Sequence, residues 1–239
     1  MPRAPEFPPL LTGHCVGADD PFVIAAREAA SGKAGAGDLF WSDTAHRLRA
    51  AIVLEPEPDE AHVEGVQLAT MVAIGDCIGA LSPPEVGIFY RWPDKICANG
   101  AVVGIARLAT GPRQGGAAPA WLVTAVDLSI RADDPTLEPG RTPDVTTLWD
   151  EGCGGVSQMQ LLESFARHLN TWIHTFETDG LHPVHEAWMA RAEGRGETIA
   201  LSLGGDTKSG TFLGLDEAGD LILKTERGTE LLALRDALL

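Results

Sequence analysis

The chain has 239 residues, 44% of them hydrophobic and 22% charged, enough to bury a sizeable core in one or two domains and too apolar for wholesale disorder. Acids outnumber bases 34 to 18, for a net charge of -16. That excludes a general nucleic-acid binder, because a polyanion gains affinity from cations that displace its counterions; a local basic site for a nucleotide phosphate is still compatible. No apolar run reaches bilayer length, Met1 to Pro9 lacks a secretory apolar stretch, and Cys15, Cys77, Cys97 and Cys153 form no Cys-x-x-Cys pair. The expected home is therefore a reducing cytoplasm, with no membrane partner, no structural zinc and no disulfide framework.

In chain order, proline-rich Met1 to Leu11 reads as an extended lead-in. Asp20-Pro21 predicts a helix start, with the helix over Phe22 to Ala30, ended by the loop Gly32 to Gly37. Leu39 to Trp41 and Ala50 to Leu54 have strand character. Asp59 is expected to open a longer helix whose apolar stripe runs through Val63, Val66, Thr70, Ala73, Ile74, Cys77, Ile78 and Leu81, closed by Pro83-Pro84. Val86 to Tyr90 and Ala101 to Leu108 read as strands with an Asn99-Gly100 hairpin turn between them, and Trp121 to Ile130 as a further strand before a loop, Arg131 to Val145. Ser157-Gln158-Met159-Gln160 fits a capping box at the head of an apolar helix that Gly180 stops; a short helix follows from Pro183 to about Ala192. After Gly194-Arg195-Gly196 come short strands at Thr198–Leu203, Thr211–Leu215, Leu221–Thr225 and Glu230–Leu234, the pattern of a small all-β barrel that is marginal alone and should dock on the rest.

Three segments in this order resemble the biotin/lipoate–protein ligase family. They are Gly35-Ala36-Gly37-Asp38-Leu39-Phe40-Trp41, then Arg91-Trp92-Pro93-Asp94-Lys95 with Asn99-Gly100 and Val103-Gly104-Ile105, then His185-Glu186-Ala187-Trp188 with Gly210 to Asp216 and Gly219 to Leu223. Thr147-Leu148-Trp149 also sits where the family has a comparable segment. The resemblance implies an α+β fold, a class II synthetase-like mixed sheet with flanking helices over 1–194, and a small SH3-like β-barrel over 195–239. It implies a reaction in which biotin or lipoate attacks ATP, with Mg²⁺, to give an acyl-adenylate, and the acyl group passes to a lysine of a biotinyl or lipoyl carrier domain. Such chemistry asks for cations and amides where phosphate charge builds, and for a loop that shields the adenylate from water. Edge-to-edge homodimers occur in the family, so a homodimer is expected. The chain begins without the DNA-binding domain of the family's repressors, and repression is not expected.

The chain departs from the family pattern in two places. The family loop carries several arginines, whereas no arginine lies between Lys33 and Trp41, where Asp38 stands. Ala101 occupies the place of the family lysine three residues before Gly104. By resemblance, Gly35 and Gly37 hold the phosphates, Trp41, Trp92, Pro93, Asp94 and Gly104 line the ligand site, and Lys95 or Arg91 supplies the catalytic cation, with Lys33 and Arg107 as the other candidate cations. Read from the residues alone, Gly35 and Gly37 are equally a plain turn, Trp41 and Trp92 core residues, and Asp94–Lys95 a solvated pair. His182 and His185 lack a third metal ligand at a convincing spacing, and no metal site is expected. Three functions follow: an ATP-dependent ligase, an inert ligand- or carrier-binding protein of the same fold, or an ATP-independent acyl transferase acting through Cys97 or Cys153.

Overall fold

Seven strands make the central sheet, and their alternation decides what each face carries. The computed structural model describes residues 4–57, 62–113, 117–132 and 142–238. The strands are β1 (Thr12–Cys15), β2 (Asp38–Trp41), β3 (Arg47–Leu54), β4 (Ile88–Arg91), β5 (Lys95–Ala98), β6 (Ala101–Thr110) and β7 (Leu122–Ser129), in the order β1-β2-β3-β7-β6-β5-β4. The β1–β2 pairing is parallel and the others are antiparallel. Two strands lie outside the sequence-based expectation. β1 forms at the end of the lead-in, and β5 separates the two strands expected to be joined directly through Asn99-Gly100. That turn links β5 to β6, with Asn99 at φ 49° and Gly100 at φ 91°, while Trp92-Pro93-Asp94 turns β4 into β5.

The helices are α1 (Pro21–Ala30), α2 (Gly65–Leu81), α3 (Gln158–Asp179), α4 (Leu181–Met189) and a short α5 (Leu234–Ala237). α1 starts where Asp20 accepts a hydrogen bond from the Phe22 amide at 2.9 Å, with Pro21 in its first turn. α3 opens on a reciprocal capping box: the Ser157 amide donates to Gln160 Oε1 at 3.0 Å and the Gln160 amide to Ser157 Oγ at 3.3 Å. The helix start expected at Asp59 lies outside the described residues. The single apolar stripe expected beyond it is corrected: 13 of the 17 residues of α2 are buried, because the sheet, α3 and α4 surround it. Its polar members are satisfied internally, Thr70 Oγ1 donating to Val66 O at 2.8 Å and lying 2.6 Å from Thr124 Oγ1.

A second sheet follows, β8 (Thr198–Leu203), β9 (Asp206–Leu215), β10 (Leu221–Thr225) and β11 (Gly228–Leu232), paired as an antiparallel meander. It docks on the rest as expected of so small a piece. Phe212, Leu215, Leu221 and Leu223 join the same buried cluster as Leu68, Phe176, Val184 and Trp188. Trp92 Nε1 donates to Gly219 O at 3.1 Å across the junction. The chain between α4 and β8 pairs with the edge strand, the Tyr90 amide donating to Arg191 O and the Glu193 amide to Tyr90 O, both at 2.9 Å. Among the described residues, no helix is long and apolar enough to cross a membrane.

Candidate binding face

One face of the central sheet packs on α2 through Leu48, Leu128, Ile96 and Tyr90. The other face is shared. α1 covers part of it, setting Ala25 and Ala29 against Phe40, Ala51, Val53, Val123 and Ala125. Beside α1 the registers place Arg91, Lys95, Ile105, Asp127 and Arg49 in one row across β4, β5, β6, β7 and β3. At about 4.8 Å per strand, the two ends of that row stand roughly 19 Å apart.

The centre of the row is an arginine pair around one carboxylate. Arg47 Nε donates to Asp127 Oδ1 at 2.8 Å, with a terminal nitrogen at 2.7 Å, and Arg49 Nε donates to Asp127 Oδ2 at 3.2 Å. Only the Nε of Arg49 is engaged; among the described residues its two terminal amino groups have no protein partner. Next to this pair Arg107 Nη1 donates to Asp20 Oδ2 at 2.8 Å, and its guanidinium sits 4.0 Å over the Phe22 ring. Burial opposes the charge on Asp20, but the hydrogen bond and charge of Arg107, with the Phe22 and Val23 amides, outweigh it and hold the carboxyl below its ordinary range. Among the described residues, Arg47, Arg49, Arg107 and Lys95 thus stand beside Asp127, Asp20 and Asp94, a basic cluster in a chain of net charge -16.

The residues singled out in the sequence fall into separate groups. Lys95 lies in the row, half-exposed, with Nζ 3.4 Å from Asp94 Oδ1. Arg91 lies at its far end, where it donates to Gly100 O and, at 2.8 Å, to Glu193 Oε1. Trp92 is buried at the junction with the second sheet, and Pro93, after a cis peptide, presents its carbonyl 3.5 Å from Gln67 Nε2. Gly104 lets β6 press on β7, since a Cβ there would meet Asp127 O at 2.6 Å. Trp41 packs edge-on against Phe7 with ring centroids 5.6 Å apart, and four strands lie between β2 and β4. The Gly35 amide donates to Asp38 Oδ2 at 2.8 Å and the Gly37 amide to Val53 O at 3.0 Å, so both are engaged within the chain. The structure therefore gathers Lys95 and Gly104 near Asp127 and leaves Gly35, Gly37 and Trp41 across the sheet from Arg91, Trp92 and Pro93.

Sequence reasoning singled out Arg107 as a possible cation and missed Arg47, Arg49, Asp127 and Gln67. Two signals were available: basic residues at 47 and 49 alternate with Leu48 ahead of an apolar run, and Asp127 interrupts an otherwise uncharged strand. Gln67 is wholly buried and its Nε2 donates to Ala106 O at 3.0 Å, tying α2 to the strand beyond the Trp92-Pro93 turn.

The cysteines and histidines have plain surroundings. Cys97 is buried and burial pushes its thiol up to about 12, Arg91 opposing and Glu193 adding to the shift. Such a group is not a thiolate at neutral pH, which removes the nucleophile from the Cys97 transfer route. Cys153 is buried with Sγ 3.1 Å from Ser82 Oγ, and Cys15 is exposed. His185 Nε2 lies 3.1 Å from Leu215 O, His182 lies 3.9 Å from Glu186, and among the described residues no trio of acid, histidine or cysteine side chains gathers to hold a metal ion. An open cavity of about 1320 Å³ lies between the α3–α4 corner and the β9–β10 turn. Among the described residues its lining includes Glu55, Glu177, Asp179, Glu186, Asp216 and Glu217 and no lysine or arginine, so that lining repels an anionic ligand.

The Biotin/lipoate A/B protein ligase family model matches residues 7–190, and the Biotin protein ligase C terminal domain model matches residues 195–233. The chain belongs to the biotin/lipoate A/B protein ligase family. It is 36% identical to a biotin protein ligase-like protein of unknown function from Silicibacter sp. TM1040, with a TM-score of 0.87 over 99% of this chain and 100% of that one. It is 29% identical over 210 residues to the biotin–[acetyl-CoA-carboxylase] ligase of Paracoccus denitrificans, covering 87% of this chain and 86% of that protein. The biotin protein ligase of Aquifex aeolicus, solved with biotin and ATP, shares the fold at a TM-score of 0.74 and 14% identity, over 94% of this chain and 96% of that one.

Proposed function

We propose that this chain binds a small carboxylic acid of the biotin or lipoate kind on the open sheet face and does not adenylate it. The observation that carries this reading is Arg49, held by Nε on Asp127 beside Arg47 with its terminal amino groups free among the described residues. A guanidinium fixed in that way offers a carboxylate two parallel donors. Lys95, three strands away in the same row, is the second cation of the proposed site, and Ile105 between Asp127 and Lys95 supplies apolar surface.

A triphosphate finds less here. The amides of Gly35 and Gly37 are engaged, and Ala101 carries no charge. ATP with Mg²⁺ is therefore not assigned to this face. The ligase reading is supported by the matches to the two ligase family models and by the name of the Paracoccus denitrificans relative. On it, Lys95 and Arg91 would serve as catalytic cations, Gly35, Gly37, Trp41, Trp92, Pro93, Asp94 and Gly104 would line the site, and a biotinyl or lipoyl carrier domain would be the acceptor. Both readings take residues 1–194 and 195–239 as the binding and SH3-like units, place the protein in the cytoplasm, and allow a homodimer.

Calorimetry with biotin and with lipoate, each with and without ATP, tests the proposal alongside pyrophosphate exchange into ATP. One acid should bind without ATP, Arg49→Gln should weaken it by about tenfold to a hundredfold, and no acid-dependent exchange should appear. Binding of neither acid overturns the proposal, and acid-dependent exchange replaces it with the ligase reading.

A further inference from the structure

A second hollow, of about 270 Å³, opens where Trp92 meets the second sheet, far from the arginine pair. Ile199, Leu201, Phe212 and Leu221 line it with Trp92, and its charged members are Arg91, Glu193 and Glu197. Glu193 Oε1 accepts from Arg91 at 2.8 Å, whereas its Oε2 is buried and accepts no hydrogen bond from the described residues. The neighbouring Cys97 thiol is only a weak donor. A buried carboxylate oxygen without a donor is costly, and the group that relieves it best is a charged one.

We propose that this hollow binds an alkylammonium group, with Glu193 as its counter-ion and the Trp92, Ile199, Leu201 and Phe212 side chains around its methylene chain. The two carboxylates outweigh Arg91 by one charge, so a single added cation neutralises the site, while an added carboxylate would face two like charges. The guanidinium of Arg91 is already turned to Glu193 Oε1 and Gly100 O, and the buried Oε2 meets the incoming ammonium when the half-exposed Glu193 carboxylate turns towards the hollow. The volume is at the small end for ligand sites and suits a chain of a few carbons. Trp92 and its bond to Gly219 O make one wall, so occupancy bridges the two parts of the molecule. A free aliphatic amine and a lysine side chain carry the same chemistry.

The test uses the full chain labelled with ¹⁵N, following the Trp92 indole N–H on addition of n-butylammonium, Nα-acetyl-lysine N-methylamide, n-butanol or butyrate. Either cation should move that signal in a saturable way, at least tenfold more tightly than n-butanol, with butyrate inactive. Tighter binding of the blocked lysine assigns a protein side chain as the natural source, and tighter binding of n-butylammonium a free amine. Glu193→Gln should weaken the cation at least tenfold. Ile199→Trp, which fills the hollow and leaves the Arg91–Glu193 pair intact, should abolish binding in a folded protein. Failure of both cations, equal binding of n-butanol, or unchanged binding in Ile199→Trp overturns the proposal.

Discussion

Asp127 is the residue on which the candidate face depends, because two guanidiniums share its carboxylate. Asp127→Ala leaves Arg47 and Arg49 facing each other on a partly buried sheet surface, and should cost on the order of 1–3 kcal/mol. A urea midpoint unchanged from wild type would count against that role. The buried thiols and phenol set a pH dependence. Burial pushes Cys77, Cys97 and Tyr90 each up to about 12. In the unfolded chain such thiols titrate at about 8.5 and the phenol at about 10, so in the intervening window the folded protein binds more protons than the unfolded one. Stability should be fully present below about pH 8.5 and fall as pH rises towards 12, which denaturant titrations at pH 8 and pH 11 compare. At pH 8 the native protein should show one fast thiol towards a disulfide reagent, Cys15, and Cys15→Ser should remove it. Lys95 was legible in the sequence as one of four lysines beside a recognisable turn. Arg49 was not, because its importance rests on Asp127, 78 positions away.

At the scale of elements, local chemistry was readable wherever a backbone end needs a partner. Asp20-Pro21, the Ser157–Gln160 box and Gly180 each mark a helix end in the structure, Gly180 at φ 73°. Ser157→Ala should cost about 1 kcal/mol, since it removes the oxygen that accepts the Gln160 amide, and thermal unfolding should show a lower midpoint. The surroundings of α2 were not readable, because apolar periodicity shows one face and cannot count how many neighbours arrive. Gly75 reports that crowding directly: a Cβ there would run into the Tyr90 hydroxyl and lie 3.1 Å from Arg191 Nη1. Gly75→Ala should therefore cost about 1–3 kcal/mol although alanine is the better helix former, and a stabilised variant would refute the close packing. Strand β5 was missed for a related reason. Lys95 to Ala98 is four residues long, too short for a period of two to stand out between two turns.

For the whole molecule, Trp92 is the hinge pin between the large sheet and the small one. Removing it empties the junction and breaks the bond to Gly219 O. Trp92→Ala should cost about 3–5 kcal/mol and speed tryptic cleavage at the already exposed Arg195, between the two parts, by loosening the backbone there; a digestion rate identical to wild type would show that the small sheet docks without it. Composition, helices α1 to α4, the strands other than β1 and β5, and the family to which the chain belongs were present in the linear order of residues. They rest on local signals: caps, turns, alternation and short motifs. Which residues share a surface was decided only when β7 inserted between β3 and β6. That crossover sets Arg49 and Asp127 beside each other and parts Trp41 from Trp92. Neighbourhood across a sheet depends on strand order, and strand order follows from burying the whole apolar set at once rather than from any single stretch of chain.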